Sequence, residues 1–123
     1  MITIRGSTPS QKNSKQIFIN RATGKPFITS SVKVKAWQQD ALWQLKGVKP
    51  IVDYPVCLTM TFYYDSKRRH DLDNSSSGVL DILVKAGILV DDDVAHVDQL
   101  ELVFGGYDKT NARVEILISP QSS

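Results

Sequence analysis

The sequence predicts an α+β fold, a single compact domain with a small mixed or antiparallel sheet and two principal helices. Three observations carry this expectation. Two stretches space their apolar residues by threes and fours, several others alternate or are rich in β-branched and aromatic residues, and only short turn-forming segments separate them. With 123 residues, 41% of them apolar, the chain is long enough to enclose one core. The expected domain spans residues 1–123, with 121–123 frayed.

Ile2-Thr3-Ile4 alternates as a short strand does, and the polar run from Ser7 to Ser14 reads as a loop made basic by Lys12 and, just after it, Lys15. Gln16-Ile17-Phe18-Ile19 and Pro26-Phe27-Ile28-Thr29 flank a segment with Asn20 and Gly24, which suits a hairpin whose tip carries Arg21 and Lys25. The hydroxyls of Thr29, Ser30 and Ser31 offer a helix cap. Val32, Ala36, Leu42 and Leu45, with Trp37 and Trp43 nearby, then suggest a helical face ending at Lys46-Gly47. Residues 56–64, Val-Cys-Leu-Thr-Met-Thr-Phe-Tyr-Tyr, form a strand expected at the sheet's centre. Asp73 or Asn74 is placed to cap a second helix, whose apolar stripe is Val79, Leu80, Leu83, Val84 and Ala86 and which Gly87 closes. Val97, Leu100, Leu102 and Phe104 mark a strand reaching Gly105-Gly106, and Arg113 to Ile118 alternates as the last one.

No segment approaches the roughly 20 apolar residues of a membrane helix, and the amino terminus lacks a secretory layout. A soluble, intracellular protein without a membrane partner is expected. Cys57 is the only cysteine, which excludes an internal disulfide and multi-cysteine zinc sites. Its apolar neighbours favour packing over reactivity. The net charge of +2 conceals a strong asymmetry. Residues 1–70 hold twelve Lys/Arg against three Asp, a balance of +9, whereas residues 71–123 hold three against ten Asp/Glu, a balance of −7. A basic surface for a polyanion beside an acidic pocket for a cation fits that division, and solvated charged faces are the plainer reading.

The densest chemical signal is Lys67-Arg68-Arg69-His70-Asp71-Leu72-Asp73-Asn74, where the long strand gives way to the second helix. In extended backbone, residues two apart share a side, so Asp71 and Asp73 would face one point while Leu72 turns to the core. Their oxygens are hard ligands suited to Mg²⁺ or Mn²⁺. Beyond the helix lies Asp91-Asp92-Asp93. A chain reversing through Gly87 and Ile88-Leu89-Val90 would return one of these carboxylates to the Asp71/Asp73 end. Like charges at about 4 Å repel by roughly 1 kcal/mol per pair in water, which a cation would offset. A solvated acidic loop is the alternative. An EF-hand loop starting at Asp71 would require Gly and Glu where Ser76 and Ile82 stand. His70 and His96 each stand alone, and no nucleophile elbow, phosphate-binding loop or dinucleotide fingerprint is present.

With R-R-H-D-L-D-N followed by L-D-I-L-V-K-A-G-I-L-V-D-D-D, the chain resembles the RusA family of Holliday-junction resolvases, small homodimeric endonucleases of bacteria and their phages. The likeness is dense over residues 67–93 and thinner at Pro9-Ser10-Gln11-Lys12-Asn13, where the family often has a basic loop with Pro and Asn. The resemblance implies that Asp71, Asp73 and Asp92 are the catalytic, metal-binding aspartates, with Asp91 or Asp93 as a further ligand. It also implies Mg²⁺ or Mn²⁺ as cofactor, a homodimer in the cytoplasm of a bacterial cell or phage-infected host, and four-way DNA junctions as substrate, nicked symmetrically in recombination, repair or phage DNA processing. One departure stands out. Where the family commonly has a catalytic lysine, four residues after the second motif aspartate, this chain has Ser77. One of Lys67, Arg68, Arg69 or His70 would then supply the phosphate-stabilising charge, or the metal alone would.

The expected reaction is metal-dependent hydrolysis of a DNA phosphodiester. Lys12, Lys15, Arg21, Lys25, Lys67, Arg68 and Arg69 are the expected phosphate contacts. Two rivals are a non-catalytic junction-binding protein, which Ser77 favours, and a metal nuclease acting on flaps or RNA. Trp37, Trp43, Tyr63 and Tyr64 could stack on bases, although aromatics at such positions more often build the core.

Overall fold

The computed structural model describes residues 1–9, 15–19, 26–30 and 32–120. Alternation is clearest in β4 (Val56–Tyr64), where Val56, Leu58, Met60, Phe62 and Tyr64 are all buried and the residues between them are half-buried. Burial on both sides follows from its central place. The four-stranded sheet runs β1 (Ile2–Arg5), β6 (Arg113–Pro120), β4, β5 (Val97–Tyr107), with β4 antiparallel to β6 and parallel to β5. The sheet is therefore mixed. β2 (Lys15–Ile19) and β3 (Pro26–Ser30) pair antiparallel as a separate two-stranded sheet. The connection carrying Arg21 and Lys25, the loop with Lys12, the Ser31 cap and the tail 121–123 lie outside the described residues.

Two helices among the described residues add to the core: α1 (Val32–Gln44) and α2 (Leu72–Lys85). Trp37, Ala41 and Leu45 join Val79, Ile82 and Leu83 and the inward residues of β4 in one apolar cluster. The observed face of α1 differs from the expected one. Val34, Trp37, Ala41 and Leu45 are buried, while Val32 is 78% and Trp43 69% exposed. Gln44 anchors this rotation. Its Oε1 accepts from the Arg5 backbone N–H at 2.7 Å and its Nε2 donates to the Arg5 carbonyl at 3.0 Å, so one amide side chain satisfies backbone groups on a sheet edge. Exposed Trp43 is covered on one face by the Lys46 ammonium, 4.2 Å from its ring centre.

The end of α2 follows the expectation closely. Gly87 adopts φ +76°, its N–H bonds the Val84 carbonyl at 3.0 Å, and the Ile88 N–H bonds that of Leu83 at 3.0 Å. This is the paired closure of a Schellman motif, in which a positive φ favours glycine. Ile88 and Leu89 then drop into the core.

Candidate metal centre and DNA-binding surface

The Asp71/Asp73 pair is positioned by a contact between the end of β4 and the first turn of α2. The phenol of Tyr64 and the hydroxyl of Ser75 share a hydrogen bond of 2.8 Å, and both residues are 2% exposed. The His70 ring stacks on Tyr64, with centroids 3.9 Å apart and planes within 12°. His70 Nε2 lies 3.1 Å from the Ser66 carbonyl, an oxygen that can only accept, so that nitrogen carries the proton. Burial, the largest influence, raises the Tyr64 phenol above its ordinary value of 10.0; the Ser75 bond opposes the rise and the Asp71 carboxylate adds to it.

Asp71, rather than Asp73 or Asn74, occupies the N-cap of α2, with φ −115° and ψ 124°. Its backbone carbonyl accepts from the Ser75 N–H at 3.1 Å, but its carboxylate makes no capping bond. That carboxylate instead meets Asn74 Nδ2 at 3.3 Å and the exposed Arg69 guanidinium at 3.9 Å. The latter is a loose surface pair contributing about 0–1 kcal/mol. Asp73 stands exposed in the first helical turn, where the helix dipole favours a negative charge. Asp71 and Asp73 thus sit at a cap-to-helix transition and not in extended strand, and Leu72 between them packs against the core as expected.

Ser77 is exposed, and its hydroxyl donates to the Asp73 backbone carbonyl at 3.1 Å; Ser76 does the same at 2.8 Å. The one basic residue of α2 is Lys85, about 18 Å along the axis from Asp73 at roughly 1.5 Å per residue. Lys67, Arg68 and Arg69 are all exposed on the segment that leads into Asp71. Lys15 opens β2.

The aspartate run lies elsewhere. The His96 carbonyl accepts from the Val56 N–H at 2.9 Å, the Tyr54 phenol accepts from the Val90 N–H at 3.0 Å, and Ile51 N–H bonds the Ile88 carbonyl at 2.8 Å. Residues 88–96 are therefore tied to the beginning of β4, whereas Asp71 follows its end. The expected return to the Asp71/Asp73 end does not occur within one chain, because β5 pairs parallel to β4 and a parallel partner must start where β4 starts. Among the described residues, no three His, Cys, Asp or Glu side chains group so as to hold a metal ion.

The three aspartates of the run are not equivalent. Asp91 Oδ1 accepts from the Asp92 N–H at 2.7 Å, and Asp93 Oδ1 bonds His96 Nδ1. Asp92 has no side-chain bond among the described residues and is exposed. His96 also meets Tyr54 edge-on, with centroids 4.7 Å apart.

Two features escaped the sequence reading. The Tyr64–Ser75 bond is one; serines at 75 and 76 on the buried face of a helix were the available sign, since a buried hydroxyl requires a partner. The other is an aromatic cavity beside Leu72, lined also by Tyr64, Arg68, His70, Phe104 and Tyr107.

Residues 8–119 match the family described as Endodeoxyribonuclease RusA. The chain is also 28% identical over 81 residues to the Crossover junction endodeoxyribonuclease RusA of Aquifex aeolicus (strain VF5); the matched stretch covers 63% of this chain and 61% of that protein.

Proposed function

Because this chain belongs to the RusA endodeoxyribonuclease family, we propose that it is a divalent-metal-dependent endonuclease that cuts four-way DNA junctions as a homodimer. The observation that carries this reading is the Asp71 cap. A carboxylate at a helix N-terminus normally bonds the first-turn N–H groups, and here it makes no such bond, one residue away from an exposed second carboxylate. Hard oxygen donors that cap no helix N–H fit Mg²⁺ or Mn²⁺, which bind through a few carboxylates and keep sites open for water and phosphate.

Asp71 and Asp73 would hold the metal from one protomer. Asp92, the unbonded member of its run, would complete the set, and its place at the far end of α2 supports a ligand contributed by the second copy. When bound, such a metal activates water and offsets charge on the phosphate. The protein's own part is positional: Lys67, Arg68 and Arg69 bind the DNA backbone next to the carboxylates, and the Tyr64–Ser75 bond fixes the start of α2. Asp71→Asn should retain junction binding and abolish cutting in Mg²⁺, since its side chain caps nothing; an active variant refutes the assignment. Mixing Asp71→Asn with Asp92→Asn distinguishes the two layouts. If the site is shared between copies, a mixed dimer keeps one intact site and nicks one strand, whereas sites within single chains leave it inactive.

A second reading, a junction-binding protein without catalysis, is favoured by Ser77, which leaves α2 without a cation near Asp73. Incubation with four-way, flap and linear duplex DNA and with RNA, with and without Mg²⁺ or Mn²⁺, separates these readings: binding without nicking supports the second, and cutting confined to flaps or RNA supports a different nuclease.

A further inference from the structure

The aromatic cavity lined by His70 and Leu72, the neighbours of Asp71 in sequence, has no role in the chemistry proposed above. It encloses about 200 Å³, below the roughly 300–1,000 Å³ of pockets that take drug-sized ligands. One ring system is the scale it suits. Its lining residues include an arginine and a histidine and no carboxylate. Phe104 and Tyr107 are 48% and 49% exposed, with ring centroids 5.1 Å apart and planes at 66°; Phe104 lies 6.2 Å from Tyr64, within 24° of parallel.

The placement of these two rings depends on a defect in β5. In regular strand, residues three apart face opposite sides, so Phe104 and Tyr107 should diverge. A register shift at Phe62/Tyr63 pairs Phe104 with Phe62 but Tyr107 with Tyr64, and Gly106 takes φ +136°. The bulge turns Tyr107 back to the side of Phe104, and bulges commonly re-aim a side chain in this way. Two large rings are thereby held half in water at the mouth of a cavity walled by His70 and Leu72, the residues on either side of Asp71.

We propose that this cavity receives an unstacked nucleobase of the DNA strand whose phosphate lies at Asp71 and Asp73. The inference rests on the DNA-cutting function proposed above. Flat aromatic walls suit any base, because each offers a π-face, and the exposed Arg68 guanidinium can stack on a base or bond its edge. Duplex DNA resists extrusion of a base, and unstacking is least costly where pairing is already interrupted. A base pocket next to the cutting site therefore favours branched over continuous duplex.

The test combines abasic scanning of a four-way junction with Tyr107→Ala, measuring binding without divalent metal so that the DNA stays whole. One position next to the nick should weaken wild-type binding about 5- to 150-fold when its base is removed, the range expected for loss of one stacked base. Tyr107→Ala should weaken binding to intact junction similarly and make that abasic position neutral. Tyr107→Phe should restore the wild-type pattern, and Trp43→Ala, on the exposed side of α1, should leave it unchanged. If wild-type protein binds junctions but no abasic position couples to Tyr107, the pocket assignment is wrong while the nuclease reading stands; if it neither binds nor cuts junctions, both fall. Sedimentation guards against a subunit contact: a Tyr107→Ala protein that changes oligomeric state overturns the proposal. The wild-type scan needs no variant to fold, and a flat scan overturns the proposal alone.

Discussion

Replacing Tyr64 by Phe deletes one oxygen from the contact that joins β4 to α2. Ser75 Oγ, in a residue 2% exposed, would lose its hydrogen-bond partner. Leaving a buried hydroxyl unpaired costs about 1–3 kcal/mol, whereas removing both members of a pair is nearly neutral. Tyr64→Phe and Ser75→Ala should therefore each destabilise the protein by about 1–3 kcal/mol, lowering the melting temperature by roughly 4–12 °C. The double variant should be more stable than the sum of the two losses predicts, by about 1–2 kcal/mol. Equilibrium urea unfolding of all four proteins at pH 7 measures the cycle. The same phenol predicts an alkaline effect. Its pKa is raised in the fold above 10.0, chiefly by burial, so the folded state holds its proton more tightly. The corresponding stability is fully present below pH 10 and is lost as pH rises through the folded value. Tyr64→Phe should lack that decline. Strict additivity in the cycle, together with an unchanged alkaline decline in Tyr64→Phe, would refute the proposed latch.

Gly105 can be tested by adding one carbon: a Cβ there would lie 2.6 Å from Tyr63 Cζ and 2.9 Å from Thr61 Cγ2. Gly105→Ala should cost about 1–3 kcal/mol by overpacking, and thermal melts should show a smaller loss in a Tyr63→Ala background. Alanine at Lys67 or Arg69 should weaken binding to all DNA sequences alike. Each should also reduce the slope of log affinity against log salt by about 1, as read by fluorescence titration at several ionic strengths.

What was legible in the sequence divides along the range of the forces involved. The strand at residues 56–64 and its interior place in the sheet were clear because β-branched and aromatic residues crowd it. The Gly87 closure was clear because few residues other than glycine accept its φ. The face of α1 was not: Val32, Val34, Ala36, Trp37, Ala41, Leu42, Trp43 and Leu45 place apolar groups on several sides, and a long-range bond from Gln44 to Arg5 selects among them. Capping was equally degenerate, since Asp71, Asp73 and Asn74 all suit an N-cap. The strand character of residues 97–104 was readable, but not its parallel pairing or the bulge that carries the strand past Gly105 to Tyr107. Pairing depends on partners distant in sequence, and no local preference encodes it.

That parallel pairing governs the candidate site. A strand, a helix and a second parallel strand form a crossover, in which the helix must carry the chain back along the sheet. With 14 residues, α2 spans about 21 Å, and the Asp71/Asp73 pair and the 91–93 run sit at its two ends. Separation has a physical benefit for the isolated chain: carboxylates at about 4 Å repel by roughly 1 kcal/mol per pair in water, and more where solvent is excluded. Each copy can fold without paired anions in close approach across the crossover. On the proposed reading, bringing Asp92 of one protomer to Asp71 and Asp73 of the other becomes favourable when a cation offsets the repulsion. Metal binding and association of the two copies are then linked, since a ligand that binds only the assembled form stabilises that form. Mg²⁺ should tighten the dimer of the wild-type protein and have little effect on that of Asp92→Asn.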